Sequence, residues 1–122
     1  MLFRSLVSDA MAAAGMADGA YRLGGLPVEV SGGVARLVSS DGPGAIAGGT
    51  ARLLDVVRRT VAAGVPLADA VRSATATPAG LLGRTDVGHL TPGARADVLV
   101  TDAGLHPVAV LRAGRWVPRE ES

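Results

Sequence analysis

The chain has 122 residues, 48% of them hydrophobic, no cysteine, and a net charge of +1 from 12 basic and 11 acidic side chains. That length suits one small domain burying roughly two-thirds of its unfolded surface. The lack of Cys excludes disulfides, thiolate catalysis and Cys-ligated zinc, while the interspersed charges give no footprint for nucleic acid or an acidic membrane. Much of the apolar material is Ala, and Trp, Tyr and Phe occur once each, so a core built from this chain alone is expected to be thin.

The apolar start "MLFRSLVSDAM" is too short for a signal peptide, and no apolar run approaches the ~18 residues needed to cross a bilayer. A soluble chain in a reducing cytoplasm is the expectation. Leu2 to Val7 reads as a buried strand ending at Ser8-Asp9, and "AMAAAGMADGAYRLGG" after it is small, Gly-rich and turn-prone. In "LPVEVSGGVARLV" apolar and polar residues alternate about Gly32-Gly33, which predicts a hairpin with strands at about 27 to 31 and 34 to 38. "SSDGPGAIAGGT" is a glycine-rich loop ending at Thr50, a helix N-cap candidate.

From Ala51 to Ala63, Leu53, Leu54, Val57 and Val61 recur at helical spacing, with Arg52, Asp55, Arg58 and Arg59 mostly opposite. Gly64 ends this helix. "PLADAVRSATA" predicts a second, with Pro66 near its first turn, and "TPAGLLG" a third with Thr77 as N-cap, Pro78 at N1 and Gly83 at the C-terminal end. Strands follow at "ADVLVTD" and "HPVAVLRAG", with "RWVPREES" an edge strand running into a charged tail. In "TPGARAD", Pro92-Gly93 suits the central pair of a type II turn. This order lacks the partners that either a parallel sheet or a sandwich requires.

Four stretches taken together carry a resemblance: "LVSDAMAAAGMADGAYRLGGLPVEV", "IAGGT" before a helix, "AGVPLADAVRSATATPAGLLG" and "VGHLTPGARADVLVTD". Nearly the whole chain resembles the C-terminal third of the N-acetylglucosamine-6-phosphate deacetylases of the amidohydrolase superfamily. The element from Gly88 to Asp102 is common across that superfamily, whereas "SDAMAAAG" paired with a downstream "AGGT" is particular to the deacetylases. The resemblance implies an α/β fold: an incomplete C-terminal part of a (β/α)8 metal-dependent hydrolase barrel over residues 1–85, with the last strand, a hairpin insertion and the last helices. Residues 86–122 would form the C-terminal strands of a small β-sandwich. A whole barrel needs about 250 residues, so the resemblance also implies a missing N-terminal barrel segment as partner.

The same resemblance assigns roles. Asp9 is the implied catalytic acid at the mouth of the barrel, taking a proton from a metal-bound water and passing it to the leaving amine. Read from the residues alone, an Asp after a short apolar stretch is ordinarily a turn former or helix cap. Ile46, Ala47 and Gly48 match the segment whose backbone contacts the amino sugar, and without the resemblance that segment is a Gly-rich linker to an N-cap. Relatives often have Gly-Ser where this chain has Gly48-Gly49-Thr50. His89 and His106 lie far apart and form no ligand pair, so neither is expected to bind metal.

The family's divalent metal, zinc or similar, would be held by a Glu and two His from earlier strands, so none is expected on this chain alone. An amino-sugar phosphate is the implied substrate of the complete enzyme, homo-oligomers are common in the family, and neither nucleic acid nor membrane is an expected partner. Two alternatives stay open. One is a non-catalytic remnant or interaction module, and the other is a segment of a different amidohydrolase, of the dihydroorotase or imidazolone-hydrolase kind, which shares the "PGARAD" turn.

Overall fold

Gly32 and Gly33 hold φ of 57° and 73°, the positive values that a type I′ hairpin turn requires at both central positions. The strands they join are β2, Leu26–Ser31, and β3, Val34–Leu37, as the alternating pattern predicts. The computed structural model describes residues 4–118. They divide into two compact units, Val7–Val56 and residues 57–118 with 4–6.

In the first unit a further strand, β1 (Gly19–Leu23), completes a three-stranded antiparallel sheet of order β1-β2-β3. It lies in the segment expected to be only turn. Its residues show no clear alternation, and its place comes from pairing with β2, where Tyr21 faces Val28 and Leu23 faces Leu26. Val28, Val30 and Ala35 bury one face, Tyr21 and Leu37 pack partly beside them, and Met11 and Ala13 complete a small core. Glu29 and Arg36 alternate onto the exposed side. Val28 is 1% exposed and is the one large side chain wholly buried among the described residues, worth about 1.5–3 kcal/mol.

The expected strand at Leu2 to Val7 falls partly outside the described residues, and residues 4–7 carry no strand. A parallel strand needs a ladder beside it. In place of one, the Leu6 amide donates to the Ser73 carbonyl at 2.8 Å, and a single parallel bridge, from Ala10 to Gly49, lies just beyond the expected strand.

Helix α1 runs Leu53–Ala62, and the division between the units falls within it. It starts two residues later than the periodicity predicts. The Arg52 amide donates to the carboxylate of Asp55 at 3.0 Å, so the side chain three residues on does the capping, while the Thr50 hydroxyl donates elsewhere, to the carbonyl of Gly33.

In the second unit α2 spans Leu67–Ala74 after Pro66, as expected, and α3 spans Ala76–Leu81 after Thr75. Thr77 and Pro78 thus lie inside the first turn of α3 instead of opening it. Proline is tolerated there because the first amides of a helix have no intrahelical acceptor. The helix ends where Gly83 predicts, with the Arg84 amide donating to Ala79 and the Gly83 amide to Gly80, the paired bonds of a Schellman end.

The Thr91 carbonyl accepts from the Ala94 amide across Pro92-Gly93, with Gly93 at φ 93°, the expected type II turn. Strands β4 (Val98–Thr101), β5 (Pro107–Arg112) and β6 (Arg115–Trp116) form an antiparallel sheet in that order. The charged tail at 119–122 lies outside the described residues. No helix of the described residues is long and apolar enough to cross a membrane.

Candidate active site

Asp9 sits in the first unit with its backbone at φ 48°, a left-handed conformation that Asp tolerates better than most side chains. It is exposed, and no hydrogen bond or ion pair engages its carboxylate among the described residues. Its carbonyl accepts the Gly49 amide at 2.6 Å, and the Met11 amide donates to the Gly49 carbonyl at 3.0 Å. Met11 anchors this end, since its side chain belongs to the buried core.

The loop that reaches Asp9 is tethered to β3 on its other side. The Leu37 amide donates to Ala45, and the Ala47 amide to Ala35, each at 2.9 Å. The Arg36 guanidinium donates to the Gly44 carbonyl at 2.9 Å. Ala45, Ala47 and Gly49 therefore hold the loop, while the alternate residues Ile46 and Gly48 contribute no backbone group to these bonds. This alternation follows from a nearly straight run between two neighbours, in which successive peptide groups turn opposite ways.

The structure thus brings Asp9 and the Ile46-Ala47-Gly48 segment together within one unit. Among the described residues the backbone groups of Ile46 and Gly48 face no partner, and the amide of Ala47 is already committed. Gly49 and Thr50, which no sequence argument assigned to the site, make the connections: Gly49 to Asp9 and Met11, Thr50 to the hairpin tip at Gly33. The doubled glycine before Thr50 was the available signal.

The two histidines lie in the other unit. His89 Nε2 donates to the Thr85 carbonyl at 3.1 Å, and His106 Nδ1 lies 3.2 Å from both carboxylate oxygens of Asp102. Among the described residues no group of three or more His, Cys, Asp or Glu could hold a metal ion. The arrangement around Asp9 can offer a solvent-facing carboxylate for proton transfer and unpaired peptide groups for a polar ligand.

Residues 28–117 match the Amidohydrolase family. The chain is 46% identical over 103 residues to an N-acetylgalactosamine-6-phosphate deacetylase of Escherichia coli O157:H7, a match covering 83% of this chain and 26% of that one. It is 39% identical over 114 residues to an N-acetylglucosamine-6-phosphate deacetylase of Caenorhabditis elegans, covering 92% and 27%. Among solved structures it resembles a mutant N-acetyl-D-glucosamine-6-phosphate deacetylase of Mycobacterium smegmatis in complex with N-acetyl-D-glucosamine-6-phosphate, at 49% identity and a TM-score of 0.80, over 92% of this chain and 30% of that one. Imidazolonepropionase of Salinispora arenicola matches over 46 residues, 38% of the chain. The chain spans between 26% and 59% of the length of the first curated relatives it matches.

Proposed function

Since the chain belongs to the amidohydrolase family, we propose that it is the part of an N-acetylglucosamine-6-phosphate deacetylase that carries the proton-transferring carboxylate and one substrate loop. The reaction hydrolyses the acetamide C–N bond: water oxygen bonds to the acetyl carbon, the amine leaves, and glucosamine 6-phosphate and acetate result. Two proton movements are needed, one off the attacking water and one onto the departing nitrogen. A single ionised carboxylate can serve both in turn. Asp9 suits that role because its carboxylate is exposed and, among the described residues, unpaired, while its backbone is hydrogen-bonded into the loop carrying Ile46 and Gly48. That relationship is the observation on which this assignment rests.

Ile46 and Gly48 would present peptide groups to the amino sugar, and the bare Cα of Gly48 permits close approach. Amidohydrolases in general depend on a metal. The described residues form no ligand set for one, so no step assigned to this chain runs through it; ligands and the phosphate grip would come from the part of the relatives that this chain does not match. In the same proposal residues 1–85 close the C-terminal end of the barrel and residues 86–122 contribute to the sandwich. The sheet β4-β5-β6 supports the second half. Val98, Val100 and Leu111 share one face and Leu99 with Val110 the other, and a sheet apolar on both faces is built to be covered on both.

A cyclic-amide hydrolase is the weaker alternative, because that match covers 38% of the chain against 92% for the nematode deacetylase. The test is an exchange chimera in which this chain replaces the matching segment of the Mycobacterium smegmatis enzyme. Acetate release is measured from N-acetylglucosamine 6-phosphate and its galactosamine epimer, alongside hydrolysis of an imidazolone. Turnover of the gluco substrate above the others is expected. A folded chimera that releases no acetate overturns the proposal: imidazolone hydrolysis in its place supports the alternative, and no turnover of any of the three leaves the chain a non-catalytic module.

A further inference from the structure

Gly49 uses both of its backbone groups on either side of Ala10, donating to the Asp9 carbonyl at 2.6 Å and accepting the Met11 amide at 3.0 Å. The result is an isolated parallel bridge between Ala10 and Gly49. A Cβ at position 49 would lie 2.1 Å from the carbonyl oxygen of Ser8 and 3.1 Å from that of Asp9. Both are backbone atoms, so no side-chain rotation relieves the conflict, and any residue larger than Gly must displace the peptides that flank the Asp9 Cα. Asp9 is at φ 48°, a shallow and sparsely populated well. Its carboxylate direction therefore depends on outside contacts to hold the backbone there.

We propose that Gly49 is the positioning residue of the site: its peptide sets the backbone of Asp9, and so the direction of the carboxylate, and its missing side chain is what allows the two segments to meet. This deepens the assignment of Asp9 as the proton-transferring group and rests on it. The loop residues expected to touch substrate, Ile46 to Gly48, are then separate from the one that aims the acid. Gly25, in the β1–β2 turn, has open space where a Cβ would stand, with nothing within 4 Å, and provides the control.

The first arm uses the 122-residue chain itself. A scalar coupling through the hydrogen bond between the Gly49 nitrogen and the Asp9 carbonyl carbon, with slowed exchange of the Gly49 and Met11 amides, is expected in the unaltered chain. Absence of both overturns the proposal even if Gly49→Ala does not fold. The second arm compares Gly49→Ala and Gly25→Ala in the exchange chimera. Gly49→Ala is expected to lower kcat about a hundredfold with KM changed by no more than about threefold, because the acid is misaimed while the substrate loop persists. Gly25→Ala should leave both constants as they were. Unchanged kcat in a folded Gly49→Ala protein, or equal change in kcat and KM, overturns the positioning role. Since the coupling is read without substrate, it decides the geometry even where the unaltered chimera is inactive, an outcome that overturns the assignment of function alone.

Discussion

The carboxylate of Asp18 accepts the amide of Gly32 at 2.6 Å, and its other oxygen takes the neighbouring Gly33 amide at 3.1 Å. The tip of the β2–β3 hairpin is thus held by a residue fourteen positions earlier, just before β1, while its Gly33 carbonyl is held by Thr50 at the end of the candidate loop. Asp18→Ala removes two charge-assisted bonds from an exposed turn and should cost about 1–2 kcal/mol. Asp18→Asn keeps an acceptor and should cost less. Urea unfolding with hydrogen exchange at the Gly32 and Gly33 amides measures both, and an Asp18→Ala chain as stable as the unaltered one refutes the clasp.

Asp9→Asn tests the proposed chemistry with little disturbance of the fold, since Asn tolerates the left-handed backbone that Asp9 adopts at φ 48°. In the exchange chimera turnover should fall about 10²- to 10⁴-fold, the usual range for general acid–base help, with the melting temperature nearly unchanged. Near-normal turnover would remove Asp9 from the mechanism. Asp9→Ala should lose turnover as well and melt lower, because a residue that disfavours positive φ adds about 1 kcal/mol of strain.

Local chemistry made some of this legible. The β2–β3 hairpin is readable because Gly32 and Gly33 together can supply nothing else so readily, and both take positive φ. The turn at Thr91 to Ala94 and the end of α3 at Gly83 are readable for the same kind of reason. What sequence logic misses is set by distant partners. Strand β1 exists through its register with β2, and α1 starts late because the Thr50 hydroxyl goes to Gly33 instead of capping it. The candidate site divides likewise. Asp9 and Ile46 to Gly48 are recognisable as motif positions, but the role of Gly49 emerges only once Ser8 and Asp9 are seen to leave no room for a Cβ.

Arg84 and Asp86 form a two-pronged ion pair, Nε to Oδ1 and Nη2 to Oδ2, each at 2.7 Å. Those hydrogen bonds from Arg84 hold the Asp86 carboxyl down to about 2 from an ordinary 3.8. A folded-state value below the unfolded one favours the fold at pH above the ordinary value, and that contribution disappears as pH falls through about 2. The pair is at the surface, so the effect is small and weakens with salt. An NMR titration should find Asp86 ionising near 2, moving up towards the ordinary range in Arg84→Gln. An Asp86 carboxyl that already titrates in the ordinary range in the unaltered chain would contradict the pairing in solution.

In the unit formed by residues 57–118 with 4–6, apolar surface is left open. Leu90 is 80% exposed, Leu81 79% and Leu82 76%, although Leu81 ends α3 and Leu82 caps it. Single exposed Leu residues are ordinary, but two consecutive at a helix end, with Val71 and Leu67 of α2 also exposed, form the kind of surface that soluble monomers rarely show. The 122-residue chain should therefore self-associate with rising concentration and bind a hydrophobic dye, both measurable by light scattering and fluorescence. Leu81→Ser with Leu82→Ser should weaken both signals without lowering the melting temperature much, because neither side chain is buried. If the unaltered chain stays monomeric, excludes the dye and melts in one sharp step, these leucines are not seeking a covering surface, and the chain is more self-sufficient than a segment of a larger barrel should be.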